Sequence, residues 1–194
     1  MGGREKMSEL LKSLLKDIDK RMKQAVNVVR EELSHVRTGR ASPALVENIP
    51  VDYYGSVVEL KQIASITTPD AKTILIQPWD KNALNAIEKA IWKSELGLNP
   101  TVDSTIIRIV LPPLTEERRK EIAKMAKKLV EEGKIAIRNL RREANEEIKK
   151  LEKDGKISED EEKATQAEVQ KMTDEHINEL DGLWEKKEKE IMSV

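Results

Sequence analysis

Residues 115–151 read TEERRKEIAKMAKKLVEEGKIAIRNLRREANEEIKKL, and this stretch decides the fold. It contains no proline and one glycine, Gly133, which costs the helix something. Wound at about 100° per residue, it separates into two stripes. Lys120, Lys124, Lys127, Lys134, Arg138, Arg141 and Arg142 fall within a band of roughly 100°. Ile122, Met125, Leu129, Ala136, Leu140, Ala144 and Leu151 fall on the other side. An apolar stripe on a long helix asks for partner helices. The basic stripe faces water or something anionic. From Arg118 to Arg142 there are ten Lys or Arg against three Asp or Glu, and Glu131 is the one acid inside the band.

Two more segments share the same period. From Arg4 to Thr38, Met7, Leu11, Leu14, Ile18, Met22, Val26, Val29, Leu33 and Val36 step by three or four, the helical spacing. Gly39 is the expected stop, a residue able to take positive φ. The central helix starts at a Thr115 cap with Glu116 and Glu117 in its first turn, where the helix dipole favours acids. Gly133 lies on its apolar side and predicts a close neighbour. Asp154-Gly155-Lys156 breaks it. Ser158 with Glu161 then forms a capping-box signature for a last helix reaching about Met192, with Val169, Met172, Leu180 and Leu183 inward. Three long amphipathic helices close most simply as a bundle.

Between the first and central helices the pattern changes. Ser42-Pro43 reads as a cap followed by proline at the first position of a short turn. Residues 51–54, 57–60, 62–67, 73–77 and 105–110 carry strand signals. Asp80 caps a short helix presenting Leu84, Ile87 and Ile91, which stops near Gly97, and Asn99-Pro100 marks a turn. The fold class expected is α+β: an elongated three-helix bundle, residues 1–39 and 114–194, with a small β/α/β domain, residues 40–113, inserted. Two connections join the parts, near Gly39 to Pro43 and near Leu111-Pro112-Pro113-Leu114. An L- or V-shaped molecule hinged there is expected.

Composition limits the chemistry. The chain has 194 residues, 38% apolar and 37% charged, with no cysteine. Thiol nucleophiles, thiolate metal sites and disulfides are therefore excluded. The absence of cysteine is compatible with a reducing cytosol. No apolar run approaches the ~18 residues of a spanning segment, and no signal-peptide stretch opens the chain. A cytoplasmic protein with no membrane association is expected. His35 and His176 have no partners at metal-ligand spacing, and no glycine-rich phosphate loop occurs. Trp79, Trp92 and Trp184 read as packing residues. Tyr53-Tyr54 should split one in, one out. The net charge of −1 hides an asymmetry, because Ser158 to Glu190 holds twelve acids and five bases.

The basic band is equally compatible with a solvated helix face and with an anion-binding face. Two details favour binding. Few acids interleave, and Arg138, Arg141 and Arg142 present guanidinium forks suited to phosphate. No aromatic platform accompanies them, so folded RNA read through its backbone fits better than single strands. Arg37 and Arg40 flank the first connection and Arg118 and Arg119 follow the second, so a basic cluster forms if the connections adjoin. The competing non-catalytic reading is an adaptor whose helices form coiled-coil contacts with another protein. A hydrolase is a distant third.

Several motifs follow one another in a specific order: Arg37-Thr38-Gly39-Arg40-Ala41-Ser42-Pro43, Val51-Asp52-Tyr53-Tyr54-Gly55, Leu96-Gly97-Leu98-Asn99-Pro100, Leu111-Pro112-Pro113-Leu114-Thr115-Glu116-Glu117-Arg118-Arg119 and Arg138-Asn139-Leu140-Arg141-Arg142. Together they make the chain resemble the bacterial ribosome recycling factors, from about Met7 onward. The resemblance implies an L-shaped translation factor with no cofactor, no metal and no hydrolytic activity of its own. It implies a monomer that enters the ribosome after termination and lies along large-subunit rRNA. With elongation factor G and GTP it splits the ribosome and releases mRNA and deacylated tRNA. It places rRNA contacts at Arg138 and Arg141, with Arg119 nearby; Arg142, Lys127 and Lys134 share their band. It places the hinge at Arg37, Gly39, Arg40, Ser42 and Pro43 and at Leu111, Pro112, Pro113 and Leu114.

Overall fold

The computed structural model describes residues 2–193, with side chains from residue 9 onward. Met7, counted in the apolar stripe, has a side chain outside the described residues. The chain divides into two compact units. One holds the chain up to Leu33 together with Lys124–Lys187; the other holds Ser34–Ala123 and the stretch from Glu188 onward.

The first unit holds most of three helices, α1 (Gly2–Ser34), α3 (Glu116–Lys153) and α4 (Glu159–Met192). Leu11, Leu14, Ile18, Met22, Val26, Val29 and Leu33 of α1 are all buried, as the heptad-like spacing requires. Val169, Thr173, His176 and Leu180 of α4 close the core from another side. Each fully buried aliphatic side chain contributes about 1.5–3 kcal/mol, so the apolar stripes rather than helix propensity hold the bundle. Gly133 sits where α1 and α3 approach closely. A Cβ there would lie 2.5 Å from Val29 Cγ2 and 3.4 Å from Leu180 Cδ1.

The helix ends follow local chemistry, with one exception. Arg118 N donates to Thr115 Oγ1 at 3.1 Å, the expected cap of α3. At its other end Gly155 takes φ +70° and Lys156 N returns to Leu151 O at 2.9 Å, a Schellman closure. Glu161 N donates to Ser158 Oγ at 3.1 Å and opens α4. The exception is α1, which ends at Ser34 rather than Thr38. Gly39 does take φ +84°, but five residues past the helix, so it is not its C′ residue. Thr38 is buried, and the Asn48 amide nitrogen lies 2.8 Å from His35 Nε2.

In the second unit a hairpin pairs β1 (Pro50–Tyr53) with β2 (Ser56–Glu59). Its two-residue loop, Tyr54-Gly55, has positive φ at both positions, as a type I′ turn demands. The larger sheet is antiparallel, in the order β3 (Ala64–Thr67), β4 (Thr73–Pro78), β6 (Ile106–Val110), β5 (Pro100–Asp103). Strand β5 departs from the sequence expectation, because its sequence opens on a turn signal. It is an edge strand beginning on proline, the position where a missing N–H costs no ladder bond. Helix α2 (Leu84–Lys93) packs Ile87 and Ile91 into the core with Ile74, Ile76, Ile107 and Ile109.

Trp79 and Trp92 are not packing residues: they are 69% and 56% exposed. Isoleucine side chains already fill that core. Trp79 follows the end of β4, and Trp92 is turned about 100° from the buried Ile91. Tyr53 is half-buried and Tyr54 exposed, the expected split, and both hydroxyls donate to Asp80 Oδ2, at 3.3 and 2.6 Å.

Candidate nucleic-acid interface

The rotational phase of α3 decides which cations are available. Within the helical unit its buried positions are Ala126, Val130, Gly133, Ile137, Ala144 and Ile148. That face is turned roughly 60° from the stripe expected from the sequence. Met125 and Ala136 are exposed, and Leu129, Leu140 and Leu151 are only half-buried. The β-branched residues Val130, Ile137 and Ile148 mark the true core line. The rotation goes toward Lys134 and Arg141, which therefore stand at the edge of the core instead of far from it.

Lys134 and Arg141 consequently meet α4. The Lys134 ammonium forms an ion pair with Asp181 and lies 3.5 Å from Glu131 Oε1, and its side chain is only 15% exposed. The hydrogen bond to Asp181 raises its pKa, against a smaller desolvation effect. Lys134 is thus a compensated charge, and Glu131, the one acid in the band, is engaged with it. Arg141 is half-buried, and its Nη1 donates to Gln170 Oε1 at 3.1 Å. That acceptor is neutral, so the positive charge stays uncompensated.

The remaining cations of the band in this unit face outward. Arg142 is exposed and donates from Nη1 to Asn139 Oδ1 at 3.3 Å, again a neutral partner. Lys124, Lys127 and Arg138 are exposed and make no ion pair among the described residues. Lys124, Lys127, Arg138 and Arg142 on the outer face of α3, and Arg141 at its edge, therefore place uncompensated positive charge along one side of the helix. Each can sit against a phosphate oxygen. The role of α4 lies outside the sequence reading. Overlaying the acidic pattern of α4 on the edge of the α3 band would have revealed Asp181.

The residues expected at the connections lie in the second unit. Ser42 Oγ accepts from Ala44 N at 3.3 Å and caps a 3-10 turn over Pro43–Leu45. Leu111 is buried, and its N–H donates to Lys72 O at 2.7 Å; Pro112 and Pro113 are exposed. Arg37 Nη2 donates to Pro112 O at 2.9 Å. Burial, reinforced by Arg118, holds the Arg37 pKa below its ordinary value. A hollow of about 390 Å³ is lined by Gly39, Arg40, Lys72, Leu114 and Arg119 among others, with no acid. The Arg119 Nε is buried there without a hydrogen-bond partner.

Neither histidine is placed as a metal ligand. His176 is buried, with Nε2 2.9 Å from Asp19 Oδ1 and Nδ1 3.2 Å from Glu179 Oε1, where it ties α1 to α4. Among the described residues no group of three His, Asp or Glu could hold a metal, and no helix is long and apolar enough to cross a membrane.

The comparisons agree with this architecture. The family model for ribosome recycling factor matches residues 29–192. The ribosome-recycling factor of Symbiobacterium thermophilum is 53% identical over 185 residues, covering 95% of this chain and 100% of that protein. The one from Nitratidesulfovibrio vulgaris is 53% identical over 184 residues, covering 95% and 99%. The solution structure of a ribosome recycling factor superposes with a TM-score of 0.77 at 52% identity, covering 95% of this chain and 98% of that one. Another gives models for the T. thermophilus ribosome recycling factor and the E. coli elongation factor G bound to the E. coli post-termination complex. Its TM-score is 0.68 at 50% identity, covering 94% and 99%. With a family model spanning most of its length and relatives matched over their whole length, the chain belongs to the ribosome recycling factor family.

Proposed function

We propose that this chain disassembles the post-termination ribosome together with elongation factor G and GTP, releasing mRNA and deacylated tRNA. It acts as a binding protein, not as an enzyme. It seats on large-subunit rRNA through the outer face of α3, with Arg138, Arg141 and Arg142 as the principal phosphate contacts, Lys127 beside them and Arg119 as a further contact. Lys134 contributes little, because Asp181 already neutralises it. The connections at residues 37–43 and 111–114 flex as the elongation factor acts on the inserted β/α/β domain.

The observation that carries this reading is the row of uncompensated cations on α3. The relative described with elongation factor G on a post-termination complex supports the choice of partner. The adaptor reading predicts little dependence on those cations. The test is a subunit-splitting assay on post-termination ribosomes. Splitting is expected only with this protein, elongation factor G and GTP together. Splitting that ignores the protein, or nucleotide hydrolysis by the isolated protein, overturns the proposal.

A further inference from the structure

Arg141 is held differently from the other cations on its face. Its Nη1 donates to Gln170 Oε1 at 3.1 Å, and Gln170 Nε2 in turn donates to Asp174 Oδ1 at 2.9 Å. The order of the chain matters. Asp174 can only accept, so it fixes the Gln170 amide with nitrogen toward itself and oxygen toward Arg141. The carboxylate acts on the guanidinium through a neutral amide and does not pair with it. Along the same pair of helices Lys134 has the opposite arrangement, a direct ion pair with Asp181.

The other side of the guanidinium is also constrained. Arg141 Nε is buried without a partner, and so is Asn145 Oδ1, one helical turn further along α3. The base of the side chain is thus packed at the core edge while its tip is tethered to α4. An arginine normally gives up considerable rotamer freedom on binding, and a tethered one has already given it up.

We propose that Gln170, oriented by Asp174, is a positioning residue that holds the Arg141 guanidinium ready for an RNA phosphate without neutralising it. This rests on the reading of the α3 face as the RNA contact.

The test is a double-mutant cycle on binding of the full-length protein to isolated large ribosomal subunits, using Arg141→Ala and Gln170→Met. Gln170 is exposed, so the methionine variant should unfold at the denaturant concentration of the parent. It should bind about two- to tenfold more weakly, the span of one hydrogen bond. It should have no further effect once Arg141 is alanine. Gln170→Glu gives a readout that a merely structural role would not move. It can still accept from Arg141, though it no longer donates to Asp174, and it adds a compensating charge, so the salt dependence of binding should lose about one unit of slope, as for one lost phosphate contact. If Arg141→Ala binds like the parent, the RNA reading itself fails. If Arg141→Ala weakens binding but Gln170→Met does not, or weakens the Arg141→Ala protein equally, positioning by Gln170 is overturned and the RNA reading stands.

Discussion

Gly133 of α3 faces Val29 of α1 so closely that a Cβ at Gly133 would come within 2.5 Å of Val29 Cγ2. Valine in a helix has one strongly preferred rotamer, so its methyl cannot simply turn away. Overpacking of this kind costs about 1–3 kcal/mol, while alanine's helix preference over glycine returns about 1. Gly133→Ala is therefore expected to be destabilising, read as a lower urea midpoint. Adding Val29→Ala should recover part of that loss, since the new methyl fills the space vacated. A Gly133→Ala protein more stable than the parent would refute the close approach.

Lys134 and Asp181 make a second prediction. Because the pair already cancels, the charge-neutral double variant Lys134→Ala/Asp181→Ala should change large-subunit affinity by less than about twofold. Asp181→Asn removes one of the two carboxylates on the ammonium and leaves Glu131, so affinity should rise and the salt dependence should steepen. Measuring both variants between about 50 and 200 mM salt separates this from the alternative. A large loss in the double variant would mean that Lys134 itself meets the RNA.

Helical identity, the caps of α3 and α4 and the small αβ block are legible from spacing and punctuation, whereas the end of α1 is not, since Gly39 stands five residues past it. Thr115, Gly155 and Ser158 act through their own backbone neighbours, so their roles are local and visible in sequence. The phase of α3 is not legible in the same way. Both candidate stripes contain apolar residues, and only the positions of α1 and α4 decide between Met125 and Ala126, or between Ala136 and Ile137. The same nonlocality hides Asp181 and Gln170, which are far along the chain from the cations they touch, Lys134 and Arg141. Strand β5 escapes detection because a proline that usually interrupts a strand is harmless when it opens one at a sheet edge.

Asp19 gives a pH prediction. Hydrogen bonds from Lys23 and from His176 hold its pKa below the ordinary 3.8. A depressed carboxylate contributes stability above its unfolded value and loses it as the pH falls through its folded value. Asp19→Asn should therefore be less stable than the parent at neutral pH. The gap should close as the pH drops below 3.8, where the parent's carboxylate takes up its proton. Urea unfolding of both proteins at neutral and acid pH checks this. A gap that persists unchanged in acid would show that the charge on Asp19 is not what matters.

The most direct measurement is the affinity for isolated large subunits across a salt series, for the parent and for Arg138→Ala/Arg141→Ala. About six phosphate contacts predict a fall on the order of a thousandfold between 50 and 200 mM salt for the parent. The double variant, with its unfolding midpoint little changed, should bind more weakly and lose about two units of salt slope. A folded double variant that binds with the parent's affinity and the parent's slope would contradict the assignment of the α3 face to RNA.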